Sequence, residues 1–169
     1  MRFQMKPRPD YPEAFDPQDF NCLKGFYTIN CLILANDKYI YAVDAGWPGK
    51  TNESRIWTWS EMRDTFNRRS GRFMVAADSA FPISTKVMTP YSERDVAAEA
   101  RGDRSIARFN TRLSGLRTSM SEHIFGRLKQ RFPILRELQN HVSYSQQIIF
   151  ACCILHNMGV HFQDDVPAD

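Results

Sequence analysis

Two runs of apolar, β-branched and aromatic residues lie close together in the first third of the chain. The pattern predicts strands at residues 26–34 and 39–43, joined by a tight turn. The first run is almost continuously apolar, which is typical of a strand covered on both faces and therefore central in a sheet. The segment up to Phe20 carries four prolines, and we expect an extended surface run there.

The rest of the chain follows mostly helical spacing. Asn52 is expected to cap a helix that runs through residue 62, and a short strand at residues 72–76 leads into Asp78. Apolar residues then recur at intervals of three and four from 109 to 128, which predicts a long helix ending before Pro133. Residues 143–160 are apolar nearly all round and predict a buried helix. This order indicates one α/β domain, a sheet covered by helices.

Composition adds one feature to this picture. The 169 residues, 43% hydrophobic and 24% charged, fit a single folded domain, and the net charge of +3 says little about partners. The charge is unevenly placed, because residues 101–131 contain eight Lys or Arg and two carboxylates. That stretch is a candidate surface for a polyanion.

Several functional classes are disfavoured. The four cysteines show neither a CxxC pair nor a histidine at zinc-finger spacing, so we interpret them as reduced, mostly buried thiols of an intracellular protein. No apolar leader follows Met1. The longest apolar stretch, 148–160, is too short to span a bilayer and contains His156 and Asn157, so we expect no membrane association. A hydrogen-bonded core role is the expectation for these two residues.

Three carboxylates occupy positions where a metal-dependent nuclease could use them. Mg²⁺ and Mn²⁺ prefer oxygen ligands brought together from separate elements. Asp78 follows a short strand, Glu53 lies in a first helical turn, and Glu122 interrupts a basic helix. Each also has a structural explanation, respectively a turn residue, a partner of the helix dipole and an i,i+4 partner of an arginine. Spacing alone leaves both explanations open.

Four sequence segments, taken in order, favour the metal-binding explanation of these carboxylates. The strings are AGWPGKTNESRIW, MVAADSAFPIS, RFNTRLSGLRTSMSEHIFGRLKQRF and IFACCILHNMGV. Together they resemble the Harbinger-type (PIF/Harbinger) DDE transposases and nucleases over about residues 24–160. The resemblance implies an RNase H-like α/β fold, a mixed β-sheet flanked by helices, as a single partial domain over residues 1–169. It also implies Mg²⁺- or Mn²⁺-dependent cleavage of DNA phosphodiester bonds and therefore a nuclear location.

The resemblance assigns roles to particular residues. Asp78 and Glu122 match catalytic, metal-binding carboxylates, and Glu53 stands as a metal ligand where the family usually has an aspartate. In the family, the first catalytic aspartate belongs to a leading strand. We expect this chain to be N-terminally truncated and to lack that strand and that aspartate, and Asp44 is a poor substitute for the aspartate. The DNA-binding helices typical of such transposases are also not apparent, which suggests a separate DNA-binding partner protein.

The basic helix supports two readings. If it is continuous past Gly115, Glu122 shares a face with Arg104, Arg108 and Lys129, opposite the apolar stripe. With Arg112, these cations are candidates for holding DNA phosphates; a solvated cationic face is the alternative. The corresponding alternative for the whole chain is a catalytically inactive DNA- or protein-binding remnant of a transposase. A purely helical interaction module is disfavoured by the predicted hairpin.

Overall fold

The computed structural model describes residues 2–5, 20, 27–99, 103–140 and 142–164, and it has a mixed α/β architecture. Four strands form one sheet: Arg2–Met5 (β1), Thr28–Ala35 (β2), Ile40–Pro48 (β3) and Glu137–Leu138 (β6). Their order is β3-β2-β1-β6; β1–β2 and β2–β3 are antiparallel, and β1–β6 is parallel. Val75–Ala76 (β4) and Val87–Met88 (β5) form a separate parallel pair.

The helices flank these strands. They are Glu53–Trp59 (α1), Glu61–Arg69 (α2), Glu93–Ala98 (α3), Ser105–Arg131 (α4) and Val142–His161 (α5), with a 3₁₀ turn at Pro133–Leu135. Within the described ranges, no helix is both long enough and apolar enough to cross a membrane.

Strand β2 is buried on both faces, as its unbroken apolar run predicts. Ile29 and Cys31 face a core shared with α4 and α5, to which Ile124, Ile149 and Cys152 belong. Leu32 faces a second core, built with Ile56, Trp57 and Met62 of α1 and α2. The central sheet is therefore packed between two layers of helices, and the predicted hairpin is confirmed with β3 extended to Pro48.

A strand precedes the hairpin. Residues 2–5 form β1 between β2 and β6, with Arg2 opposite Asn30 and Gln4 opposite Glu137. Phe3 is fully buried, so the surface run expected for this segment is wrong for these residues. The expectation of a missing leading strand is not confirmed, because a strand stands there; four residues beside a proline-rich stretch are too few to reveal alternation from sequence. Most of the remaining run, and Cys22, lie outside the described residues.

Two helix predictions are wrong in part, and one helix was not predicted. The helix expected from Asn52 through residue 62 breaks at Ser60, which is extended (ψ 147°) and serves as the N-cap residue of α2. Helix α3 was not predicted, although Ser92 and Asp95 form a complete capping box in front of it. Helix α5 is not buried all round, because one face leaves large apolar side chains exposed. These are Tyr144, Ile154, Leu155 and Met158.

The turn between β3 and α1 is fixed by close contacts. Just before this turn, near the end of β3, Gly46 has a φ of +103°, which favours glycine. A Cβ at Gly49 would lie 2.0 Å from Thr28 Oγ1 and 2.7 Å from its carbonyl oxygen, so only glycine fits against β2 there. The buried Asn30 side chain donates to the Thr51 carbonyl at 2.7 Å. These contacts anchor the start of α1 to the sheet.

Candidate functional site

Asp78 follows the short strand β4, from which Ala77 separates it, close to the position predicted from the sequence. One carboxylate oxygen, Oδ1, accepts a hydrogen bond from the Ala80 N–H at 2.9 Å, which is an Asx turn. The other, Oδ2, lies 3.8 Å from Nη1 of Arg117 on α4. Asp78 thus has the turn role considered from sequence and is also paired with a cation.

Glu122 lies on the solvent side of α4. The helix is continuous past Gly115, as the prediction of a shared face required. Glu122, Arg104 and Arg108 are exposed, whereas Leu113 and Ile124 are buried, so the predicted division into a polar and an apolar face is confirmed. Glu122 comes five residues after Arg117, which corresponds to roughly 140° around the helix and about 7.5 Å along it. It therefore points away from the side on which Arg117 meets Asp78.

Glu53 is half-buried in the first turn of α1. Asn52 caps this helix, accepting the Ser54 N–H at 2.9 Å, and this confirms the predicted cap. A groove of about 530 Å³ opens beside the turn, lined by Lys50, Thr51, Asn52, Ser54 and Arg55. Glu53 is thus held next to a polar groove with two basic side chains.

The chemistry of these carboxylates suits Mg²⁺ or Mn²⁺, but their arrangement does not. Among the residues that the structure describes, no three His, Cys, Asp or Glu side chains come together as a group able to hold a metal ion. Asp44, the poor substitute for the family's first aspartate, accepts the Trp47 indole N–H with its Oδ1 at 2.8 Å. Glu53, Asp78 and Glu122 therefore remain three separate positions in this arrangement.

The candidate phosphate-binding cations differ in exposure. Arg104, at the N-cap of α4, and Arg108 and Arg112, in its N-terminal half, are exposed. Lys129 is half-buried, with Nζ 5.8 Å from the centre of the Phe3 ring, a cation–π contact with β1. The three arginines form an accessible cationic surface, whereas Lys129 also stabilises the packing of α4 on the sheet.

The three cysteines that the structure describes are poor nucleophiles. Burial raises the pKa of Cys31 and of Cys153 to about 12, and it also raises the pKa of Cys152. A thiol with so high a pKa is protonated at neutral pH and unreactive. The raised pKa values of these thiols therefore argue against thiol chemistry, as does the absence of a zinc-binding or redox spacing of cysteines in the sequence.

Sequence reasoning counted Arg117 within the basic stretch but did not single it out. A signal was present, because Arg117 stands four residues after the buried Leu113 and so shares its core-facing side of the helix. The structural role expected for His156 and Asn157 is confirmed. His156 Nε2 donates to the Lys38 carbonyl at 3.0 Å, and Asn157 bonds both backbone groups of Ile40.

Comparison with known proteins places these residues in a family. The family described as DDE superfamily endonuclease matches residues 6–157. The human protein named "Putative nuclease HARBI1" is 28% identical over 149 residues, covering 85% of this chain and 40% of the relative. The Arabidopsis thaliana protein named "Protein ALP1-like" is 26% identical over 162 residues, covering 86% of this chain and 38% of the relative.

The chain spans about 40% of the length of the curated relatives it matches. No solved structure matches it. The family match covers most of the chain and includes the hairpin, β4 with Asp78, and α4 with Glu122. The chain therefore belongs to the DDE superfamily endonucleases.

Proposed function

We propose that this chain is a transposase-derived nuclease domain with an RNase H-like fold that cleaves phosphodiester bonds of DNA with the help of Mg²⁺ or Mn²⁺. The observation that carries the proposal is the contact between β4 and α4, which brings Asp78, two residues after β4, against the helix that holds Glu122. The family match over residues 6–157 supports the reaction class.

Asp78 and Glu122 are the proposed catalytic carboxylates and metal ligands, with Glu53 as an auxiliary ligand. In the described arrangement the three do not fit one metal site, since Asp78 faces Arg117 and Glu122 faces solvent. Joint binding of one ion by Asp78 and Glu122 therefore requires α4 and β4 to move relative to each other. We assign no reaction step to a metal in this arrangement.

Arg104, Arg108 and Arg112 are the proposed contacts to the DNA backbone, with Lys129 as a further cation of the same helix. The three arginines are exposed, and cations spaced along one helix attract phosphates without reading sequence. The groove lined by Lys50 and Arg55 adds two cations near Glu53. A separate protein that supplies sequence-specific DNA binding, and a nuclear location, follow from this proposal as further expectations.

A second candidate function is DNA or protein binding without cleavage. It is favoured by a specific observation: both carboxylate oxygens of Asp78 are engaged, one by Ala80 and one by Arg117. The two functions share the cationic surface of α4 and differ in whether Asp78 and Glu122 act on the bound DNA.

Nicking of supercoiled plasmid in Mn²⁺ and binding of a short duplex, followed by fluorescence anisotropy, separate the two. Asp78→Asn and Glu122→Gln should abolish nicking and leave duplex binding within about twofold, while Arg108→Ala with Arg112→Ala should weaken binding. Glu93→Gln, an exposed carboxylate on α3, is the matched control. Duplex binding without nicking by the wild type would favour the second function, and nicking that survives both acidic variants would contradict the assigned residues.

A further inference from the structure

Helix α5 has an apolar face on each of two sides. Its inner face packs on β3 and α4 and buries Ile149, Cys152 and Cys153. Its outer face leaves Ile154 60% exposed and Leu155 49% exposed. At roughly 100° per residue, the outer positions lie within an arc of about 120°, which is wide enough for a second packing partner. This outer stripe consists of Tyr144, Gln147, Ile148, Ala151, Ile154, Leu155 and Met158.

The outer stripe is symmetric about Ala151. Its other positions lie three, four and seven residues before and after this alanine, so reversing the chain direction maps the stripe onto itself. An antiparallel copy centred on Ala151 would place Ile154 opposite Ile148 and Met158 opposite Tyr144. A two-fold symmetric interface needs this property, because the same patch meets itself across the axis. The small side chain at the centre also lets the two helix backbones approach closely.

The charge of α5 also suits a second copy. The helix Val142–His161 contains no Asp, Glu, Lys or Arg. A nucleic acid or an acidic peptide would therefore find no strong counter-charge on the outer stripe, whereas two copies meet there without like-charge repulsion. In an antiparallel pair the two helix dipoles also run in opposite directions, which is their favourable arrangement.

The area of the outer stripe is sufficient for a weak dimer. Its four large exposed side chains, Tyr144, Ile154, Leu155 and Met158, are 48–62% exposed. With the smaller positions between them they present roughly 600 Å² per copy, so a pair buries about 1,200 Å² in total. This value lies at the lower end of specific protein interfaces and predicts a reversible dimer with a Kd in about the micromolar range.

We propose that the outer stripe of α5 is the interface of an antiparallel homodimer whose two-fold axis passes beside Ala151. The symmetric spacing, the lack of charge and the area of the stripe all favour a second copy of this chain as the occupant. The inference is independent of the proposed nuclease function, because no residue of the stripe belongs to the candidate site on β4, α1 and α4.

Sedimentation velocity of the full 169-residue chain, at concentrations below and above the expected Kd, tests for the dimer. The wild type should pass from one-chain to two-chain mass as its concentration rises. Leu155→Lys places two charges in the apolar interface and should raise the Kd at least about tenfold. Leu116→Lys is the matched control, because Leu116 on α4 is 50% exposed and Leu155 is 49% exposed; its Kd should stay within about twofold of the wild type. Circular dichroism melts verify that both variants fold.

Cysteine cross-linking tests the predicted register. Ala151→Cys should give a disulfide-linked homodimer under mild oxidation, because the two-fold axis brings residue 151 of both copies together. Gln147→Cys should not cross-link to itself, but should cross-link to Leu155→Cys when the two variants are mixed. Ser114→Cys, an exposed position on α4, and the wild type give the background from random collisions and native thiols.

Each outcome decides the proposal. A dimer that Leu155→Lys weakens and Leu116→Lys preserves, with cross-linking through Ala151→Cys above background, supports it. A wild type that stays monomeric at every concentration would overturn it and leave the stripe to another segment or another protein. Equal dimerisation of the two lysine variants would show that the chains associate through a different surface. Cross-linking of Gln147→Cys to itself as efficient as that of Ala151→Cys would contradict the antiparallel register.

Discussion

The side-chain amide of Asn157 clamps the hairpin to α5. Ile40, at the start of β3, donates its N–H to Asn157 Oδ1 at 2.9 Å, and Asn157 Nδ2 donates to the Ile40 carbonyl at 2.7 Å. Ile40 is 5% exposed, so water has little access to either backbone group. Asn157→Ala removes both partners at once and leaves one donor and one acceptor unpaired near the core.

The expected cost follows from these two groups. A buried polar group that loses its partner costs about 1–3 kcal/mol, so Asn157→Ala should lower the free energy of unfolding by roughly 2–4 kcal/mol. For a domain of this size, that corresponds to a fall in Tm of about 5–15 °C. Urea denaturation and thermal melts followed by circular dichroism measure both quantities.

A matched control lies on α4. Asn110 makes the same pair of bonds, to the N–H and carbonyl of Tyr91, but at an exposed site where water can replace the amide. Asn110→Ala should therefore cost less than about 1 kcal/mol. The reasoning is refuted if Asn157→Ala stays within about 0.5 kcal/mol of the wild type, or if Asn110→Ala proves the more costly change.

Three further predictions concern stability. Gly49→Ala forces a Cβ into Thr28 and should lower the free energy of unfolding, measured in urea, by about 1–3 kcal/mol. A Cβ at Gly115 would meet nothing within 4 Å, so Gly115→Ala should raise that free energy by about 0.5–1 kcal/mol. The opposite order of stabilities would contradict the contact geometry. Burial lowers the pKa of His156 below its ordinary value of 6.5, so stability is full above that pH and falls as pH drops toward the lowered folded pKa. The urea concentration at the midpoint of unfolding should therefore decrease as the pH is lowered from about 7.5 to about 5. This decrease should be smaller in His156→Gln; an equal decrease in the variant would show that other groups cause the loss of stability.

The hairpin, the long helix and the cap at Asn52 could be predicted because each depends on local signals: an apolar run, a repeat of three and four, and a capping side chain. Strand β1 could not. Its four residues become a strand because β2 and β6 supply partners on both sides, and that information lies more than twenty residues away along the chain. The break at Ser60 likewise depends on how α1 and α2 pack on the second core.

The candidate site residues come from the family resemblance, because spacing alone left a structural explanation open for each. Asp78 and Glu122 both lie within the region that matches the family, and their metal-binding role stays a prediction. The direction of Glu122 depends on the rotation of α4, which is set by distant contacts such as those of Asn110 with Tyr91, and the direction of Asp78 depends on its turn with Ala80. Arg117 was overlooked for a similar reason, because its partner Asp78 lies thirty-nine residues earlier, in the turn after β4.

The central claim is that Asp78 and Glu122 serve one divalent ion, and paramagnetic broadening by Mn²⁺ in an NMR titration tests it most directly. Bound Mn²⁺ broadens signals of nearby nuclei, so the account predicts loss of amide signals around both residues at the same low metal concentration. Asp78→Asn should protect both sets of signals. Broadening confined to one of the two regions, or unspecific broadening across the surface that Asp78→Asn does not change, would contradict the claim.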